Sequence, residues 1–213
     1  MQIEVWADVV CPWCYLGKRR FDNALAAYER RDEVEVVYRS FELDPAASAT
    51  RSDPLGAHLS AKYGIDAAQV QAMEDRVTGL AAEEGLTYRL DLARTARTFD
   101  AHRLIHLARE HDRQDAMTER LFAAYFTEGA VITDPATLVA LAEQAGVDGT
   151  AARDVLGSDA YTDAVRSDEQ VATQLGITGV PFFVRDRRVG VSGAQPTEVL
   201  AQLLAADAVA SAP

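Results

Sequence analysis

Apolar residues change their rhythm twice along this chain of 213 residues. At the start, Ile3-Glu4-Val5-Trp6-Ala7-Asp8-Val9-Val10 is a short apolar run that predicts a buried strand. Leu16, Phe21, Ala24, Leu25 and Tyr28 then recur at helical spacing, predicting a helix from Tyr15 to Arg30. Val34 to Phe41 is rich in β-branched and aromatic residues and predicts a second strand, closed by Asp44-Pro45. A helix of this length between two strands predicts parallel pairing with a right-handed crossover.

From about residue 46 to 165 strand-like runs vanish, and Ala, Leu, Glu and Arg dominate. The spacing predicts a short segment after Pro54 and helices over Ala67–Glu84, Thr98–Glu110 and Gln114–Thr127. Asp134-Pro135 reads as an N-cap followed by proline at the first helical position, for a helix ending at Gly146. A short helix follows over Asp148–Leu156. Ser158 is predicted to cap a long one that buries Tyr161, Val165, Val171 and Leu175 and stops at Gly176.

Strand character returns in Gly179–Val184 and Arg188–Ser192, with Asp186-Arg187 as the turn of an antiparallel hairpin. A last helix is predicted from Pro196 to about Ala206, and Asp207–Pro213 is expected to fray as a flexible tail. Taken together these elements predict an α/β fold. Residues 1–45 and 166–207 form one discontinuous unit around a mixed four-stranded sheet, residues 46–165 an inserted all-helical domain, and 208–213 the tail.

Charge narrows the function. A net charge of −12 leaves no basic stripe for nucleic acid or for an anionic membrane surface. No apolar stretch approaches the roughly 18 residues of a membrane span. No basic region precedes an apolar leader, so a reducing, cytoplasmic setting is expected. The oligomeric state is not readable from the sequence.

The chemistry centres on Cys11-Pro12-Trp13-Cys14, which holds the only two cysteines. Strand, Cys-x-x-Cys, helix puts the first thiol at a helix N-terminus. There unpaired N–H groups and the positive end of the helix dipole favour a thiolate, the attacking species in disulfide exchange. Lys18, Arg19 and Arg20 add positive charge nearby in sequence. The rival is zinc, held by the two thiols with His102 and His106, which share a helix face. The long gap between Cys14 and His102 argues against it, and no metal is expected. No Gly-rich phosphate loop and no Gly-x-Ser-x-Gly elbow is present.

Several stretches resemble the DsbA family, and within it the FrnE-type branch. They are Asp8–Phe21 around the cysteines, Phe41-Glu42-Leu43-Asp44-Pro45, Thr98–Leu104, Thr178-Gly179-Val180-Pro181-Phe182, and Gly190–Pro196. The resemblance implies a thioredoxin fold with a helical insertion, and a dithiol–disulfide oxidoreductase. It implies Cys11 as nucleophile, Cys14 as resolving thiol, and a cis bond before Pro181 beside them. It further implies that Pro12, Trp13, Phe41, His102 and Val180 surround the substrate, with Val180 offering its backbone to a substrate strand. No bound cofactor is implied beyond the Cys11–Cys14 disulfide. Glutathione is the candidate co-substrate, and the partner is a protein or small molecule carrying a thiol or disulfide. The 2-hydroxychromene-2-carboxylate isomerases and kappa-class glutathione transferases resemble the same architecture and are the alternative. They typically carry Ser at the first cysteine position and lack the second. A purely structural bridge is disfavoured, because so short a loop has little chain entropy to remove.

Overall fold

In the computed structural model, which describes residues 1–49 and 53–206, β1 (Gln2–Ala7) occupies an inner position of the sheet. It pairs in parallel with β2 (Glu35–Ser40) and antiparallel with β3 (Phe182–Arg185). β3 pairs antiparallel with β4 (Val189–Ser192), giving the order β2-β1-β3-β4. The hairpin turn is the expected one, and Asp186 and Arg187 both take positive φ there, 48° and 55°.

The period-2 alternation of β1 divides the core. Ile3 and Val5 join a large cluster with Phe21, Leu104, Leu121, Phe183 and Leu200. Trp6 faces the other side with Ala172, Ile177 and Val184, and its indole N–H donates to the Asp168 carbonyl at 3.0 Å. The first cluster runs without a break from the sheet into the helical block, reaching Leu138 and Val155.

Nine α-helices lie among the described residues: α1 (Pro12–Ala27), α2 (Leu55–Tyr63), α3 (Ala67–Glu83), α4 (Phe99–Glu110), α5 (Gln114–Phe126), α6 (Pro135–Gln144), α7 (Gly149–Leu156), α8 (Thr162–Gln174) and α9 (Thr197–Ala205). Asp134 caps α6 as expected, accepting from the Thr137 N–H at 2.9 Å. Three expectations are corrected. The first strand ends at Ala7 rather than Val10, because the Cys11 N–H folds back onto the Asp8 carbonyl at 3.0 Å and closes a turn. The helix after it starts at Pro12 and ends at Ala27, so Cys14 lies in its first turn. Ser158 does not cap α8: its hydroxyl donates to the Asp154 carbonyl at 2.7 Å, at the end of α7, and α8 starts after Tyr161.

The buried face of α8 also differs from the prediction. It is Val165, Asp168 and Ala172, while Leu175 is 41% exposed. An acid at a buried position hid this stripe from a hydrophobic pattern. The expected boundary at residue 166 falls inside α8. The tail beyond Ala206 lies outside the described residues.

Candidate active site

The turn after β1 aims the first thiol. Cys11 is the N-cap residue of α1, with extended backbone (φ −90°, ψ 111°) and no side-chain cap bond. Pro12 follows at the first helical position, where its missing N–H costs no hydrogen bond. Cys14 lies one turn in, and its N–H donates to the Cys11 carbonyl at 2.9 Å. Both thiols are free.

The two sulfurs have different surroundings. Cys11 lines a groove of about 740 Å³, and Cys14 does not. Burial pushes the Cys14 thiol well up, and its contact with Cys11 adds to that. Cys11 Sγ faces the Val180 carbonyl at 3.6 Å, and the Val180–Pro181 bond is cis. Pro181 can come this close to α1 only because residue 17 is glycine: a Cβ there would stand 2.8 Å from Pro181 Cγ.

The groove opens between the cysteine turn, the 43–48 loop, and α2 with α3. Its apolar lining includes Val10, Leu43, Leu59, Met73, Val77 and Leu90. Trp13, Leu43, Tyr63 and Met73 line it and are among the most exposed large apolar residues of the described chain. No side chain of α2 is fully buried, and Leu55 is its contact with the core.

Aromatic residues of the helical block brace the other side of the cysteine turn. The Tyr88 hydroxyl donates to the Pro12 carbonyl at 2.6 Å. The Tyr88 ring stacks on Phe126 at 5.0 Å, and Tyr15 stacks on Phe122 at 5.1 Å. Each such pair contributes about 0.5–1.5 kcal/mol beyond its buried area. Tyr88 drew no notice in the sequence, where it is a lone aromatic in a loop with nothing local to name its partner.

Pro12, Trp13, Val180 and Cys11 meet at the groove, with Pro181 beside them and Cys14 behind. Phe41 and His102, expected among the substrate contacts, do not line it. Phe41 packs on the Trp6 side of the sheet. His102 is drawn inward, 2% exposed, with Nε2 at 3.4 Å from Asp8 Oδ1. The basic residues of α1 are likewise occupied. Lys18 is bridged to Asp22, Asp115 and Glu119, Arg19 to Glu119, and Arg20 to Glu84. Among the described residues no three His, Cys, Asp or Glu side chains converge in a metal-ligating arrangement.

Asp8 is the residue that sequence reasoning passed over. It sits 1% exposed at the end of β1, and its Oδ2 accepts from the Leu43 N–H at 2.7 Å. The available signal was an acid inside an apolar strand run. Burial by itself would push the His102 imidazole down. Asp8, Glu42 and Glu169 outweigh it and hold the group above its ordinary value of 6.5. Burial pushes Glu42 up against the opposing pull of Arg166 and His102.

A parallel β1–β2 pair extended by an antiparallel hairpin, with a Cys-x-x-Cys at a helix start facing a cis-proline, defines a thioredoxin-like oxidoreductase architecture. The chain matches the DSBA-like thioredoxin domain over residues 2–205 and belongs to that family. It is similar to the crystal structure of a probable DsbA oxidoreductase from Streptomyces coelicolor, at 50% identity and a TM-score of 0.92, covering 96% of this chain and 88% of that one. It is 30% identical to the uncharacterised protein YwbO of Bacillus subtilis over 185 residues, 86% of each chain. A 2-hydroxychromene-2-carboxylate isomerase shares the fold at 16% identity, with a TM-score of 0.69 over 97% of this chain and 94% of that one.

Proposed function

We propose that this protein is a thiol–disulfide oxidoreductase working through a Cys11/Cys14 cycle. The Cys11 thiolate attacks a substrate disulfide and forms a mixed disulfide, releasing the other half as thiolate. Cys14 then attacks Cys11, closes the intramolecular disulfide and frees the bound half. The observation that carries this reading is the division of labour between the sulfurs. Cys11 caps a helix and lines the groove, while Cys14 is enclosed one turn behind it. Val180 and Trp13 are the substrate contacts in this reading. The sheet unit of residues 1–45 and 166–207 supplies the chemistry, and the helical block supplies the groove wall. The setting is a reducing cytoplasm, and the partner is a thiol- or disulfide-bearing protein or small molecule.

The test is insulin reduction together with trapping. Cys14→Ser is expected to accumulate mixed disulfides through Cys11, and Cys11→Ser to give none. Adducts recovered from the Cys11→Ser protein would reverse the assignment. A second reading has one observation in its favour: a groove of about 740 Å³ admits a small molecule beside Cys11. On that reading glutathione binds there and the protein isomerises or conjugates an aromatic substrate. Glutathione-dependent turnover of a hydroxychromene carboxylate by the Cys14→Ser variant would establish it.

A further inference from the structure

One hydroxyl reaches from the helical block into the cysteine turn. Tyr88, on the loop between α3 and α4, is 5% exposed and donates to the Pro12 carbonyl at 2.6 Å. That carbonyl belongs to the first residue of α1 and lies between the two cysteines in sequence. The Tyr88 ring stacks on Phe126 at 5.0 Å and on Tyr15 at 5.9 Å, so the hydroxyl has little freedom to move. A buried phenol often does no more than find a partner for its own O–H. Here the acceptor sits inside the reactive turn, and both sulfurs act on the phenol. Burial, Cys11, Tyr15 and Cys14 all push it up, so it stays a neutral donor wherever the thiols react.

The bond acts on the peptide next to the outer sulfur. Pro12 has no N–H, and the N–H groups of Cys14 and Tyr15 turn back onto the Cys11 carbonyl at 2.9 and 3.4 Å. Among the described residues no acceptor holds the Trp13 N–H. That N–H shares a peptide unit with the Pro12 carbonyl and stands at the positive end of α1. A hydrogen bond at a peptide oxygen polarises the unit and strengthens the N–H on its other side. The Tyr88 hydroxyl therefore adds to the positive field at the Cys11 end of the helix. A Cys11 thiolate gains from that field, and an uncharged Cys11–Cys14 disulfide does not.

We propose that Tyr88 is a positioning residue for the redox couple, its hydroxyl favouring the dithiol over the disulfide form by holding the Pro12 carbonyl. The proposal rests on the dithiol reading. Tyr88 acts through the Pro12–Trp13 peptide and supplies neither proton nor electron. The couple is read against glutathione: one protein dithiol and one glutathione disulfide give the protein disulfide and two glutathione thiols. The Cys11–Cys14 bond forms and the glutathione disulfide bond breaks. Two electrons pass from the cysteines to glutathione, and the two thiol protons end on the two glutathione molecules. The helical block in this way sets the oxidising strength of a couple that the sheet unit carries.

The test is a redox titration of the full chain against glutathione, with Tyr88→Phe beside the wild type. Phenylalanine keeps the stacked ring and removes only the donor. The variant is expected to favour the disulfide about three- to tenfold more than the wild type, the scale of one hydrogen bond. Urea unfolding of both redox forms closes the cycle, and the dithiol form should lose more stability than the disulfide form. Coincident titrations with equal losses in the two forms overturn the proposal and leave Tyr88 a packing residue. A shift toward the dithiol overturns it as well. A wild-type chain that forms no Cys11–Cys14 disulfide at any glutathione ratio overturns the dithiol reading, and the proposal with it. Should Tyr88→Phe not fold, a fluorinated tyrosine introduced at position 88 decides, because its more acidic hydroxyl donates more strongly. It should favour the dithiol beyond the wild type, and an unchanged equilibrium overturns the proposal.

Discussion

His102 and His106 stand one turn apart on the same face of α4, and each points at a buried aspartate. Their surroundings differ chiefly in how the polar atoms are used. His106 Nε2 lies 3.1 Å from Asp168 Oδ2 and 3.2 Å from Ser40 Oγ. Asp168 also accepts from the Ser40 N–H at 2.9 Å and from Arg39 at 3.1 Å, so α4, α8 and β2 are tied together there. The Asp8–His102 pair is as deeply buried, but neither ring nitrogen has a hydrogen-bond partner. One Asp–His pair spends its polar capacity on holding elements together. The other uses one carboxylate oxygen, Asp8 Oδ2, on the Leu43 N–H and leaves Asp8 Oδ1 and both His102 ring nitrogens unpaired.

That contrast is open to attack by mutation. The largest effect is expected for Asp168→Ala, which strips Arg39, Ser40 and His106 of a buried partner and should cost about 3–5 kcal/mol in urea unfolding. Disulfide exchange per folded molecule should be unchanged. A loss of exchange without a loss of stability would erase the distinction between the pairs. Gly17→Ala comes next, at about 1–3 kcal/mol, because the new methyl group overpacks against Pro181. It should also slow disulfide exchange, because Pro181 is displaced from its place beside the cysteine turn. His106→Gln should cost about 1 kcal/mol for its lost hydrogen bonding, with disulfide exchange per folded molecule unchanged.

The smallest effect is a pH dependence. The folded-state value of His102 is raised, so its stabilisation is complete below 6.5 and is lost as pH rises through the folded value. Glu42 is raised as well, so it too makes stability fall as pH rises, starting from about 4.5. Unfolding free energy is therefore expected to decline above pH 6.5. The decline should shrink in His102→Gln, and a slope equal to that of the wild type would remove the electrostatic basis of the contrast.

Local pattern carried much of the architecture. Alternation and β-branching found all four strands, proline and glycine punctuation found most helix ends, and Asp186-Arg187 marked the hairpin. The cysteine pair and Pro181 were legible because a short spacing or a motif announces them. What escaped was non-local or polar. The end of β1 is set by a turn bond to Cys11, and Tyr88 is placed by a carbonyl far from it in sequence. The inner face of α8 contains Asp168, which hydrophobicity assigns to the surface. His102 was noticed but sent to the groove, because its partner Asp8 looked like part of a strand. Burial of a charged group is decided by the group across from it, and no local window contains that group.

One feature of the groove bears on how such proteins diverge. Since α2 has no fully buried side chain and only its Leu55 packs on the core, its other groove-lining side chains answer more to whatever enters than to folding. Relatives that keep the Cys-Pro-Trp-Cys turn and change positions 55–63 should retain the same exchange chemistry while choosing different molecules to perform it on.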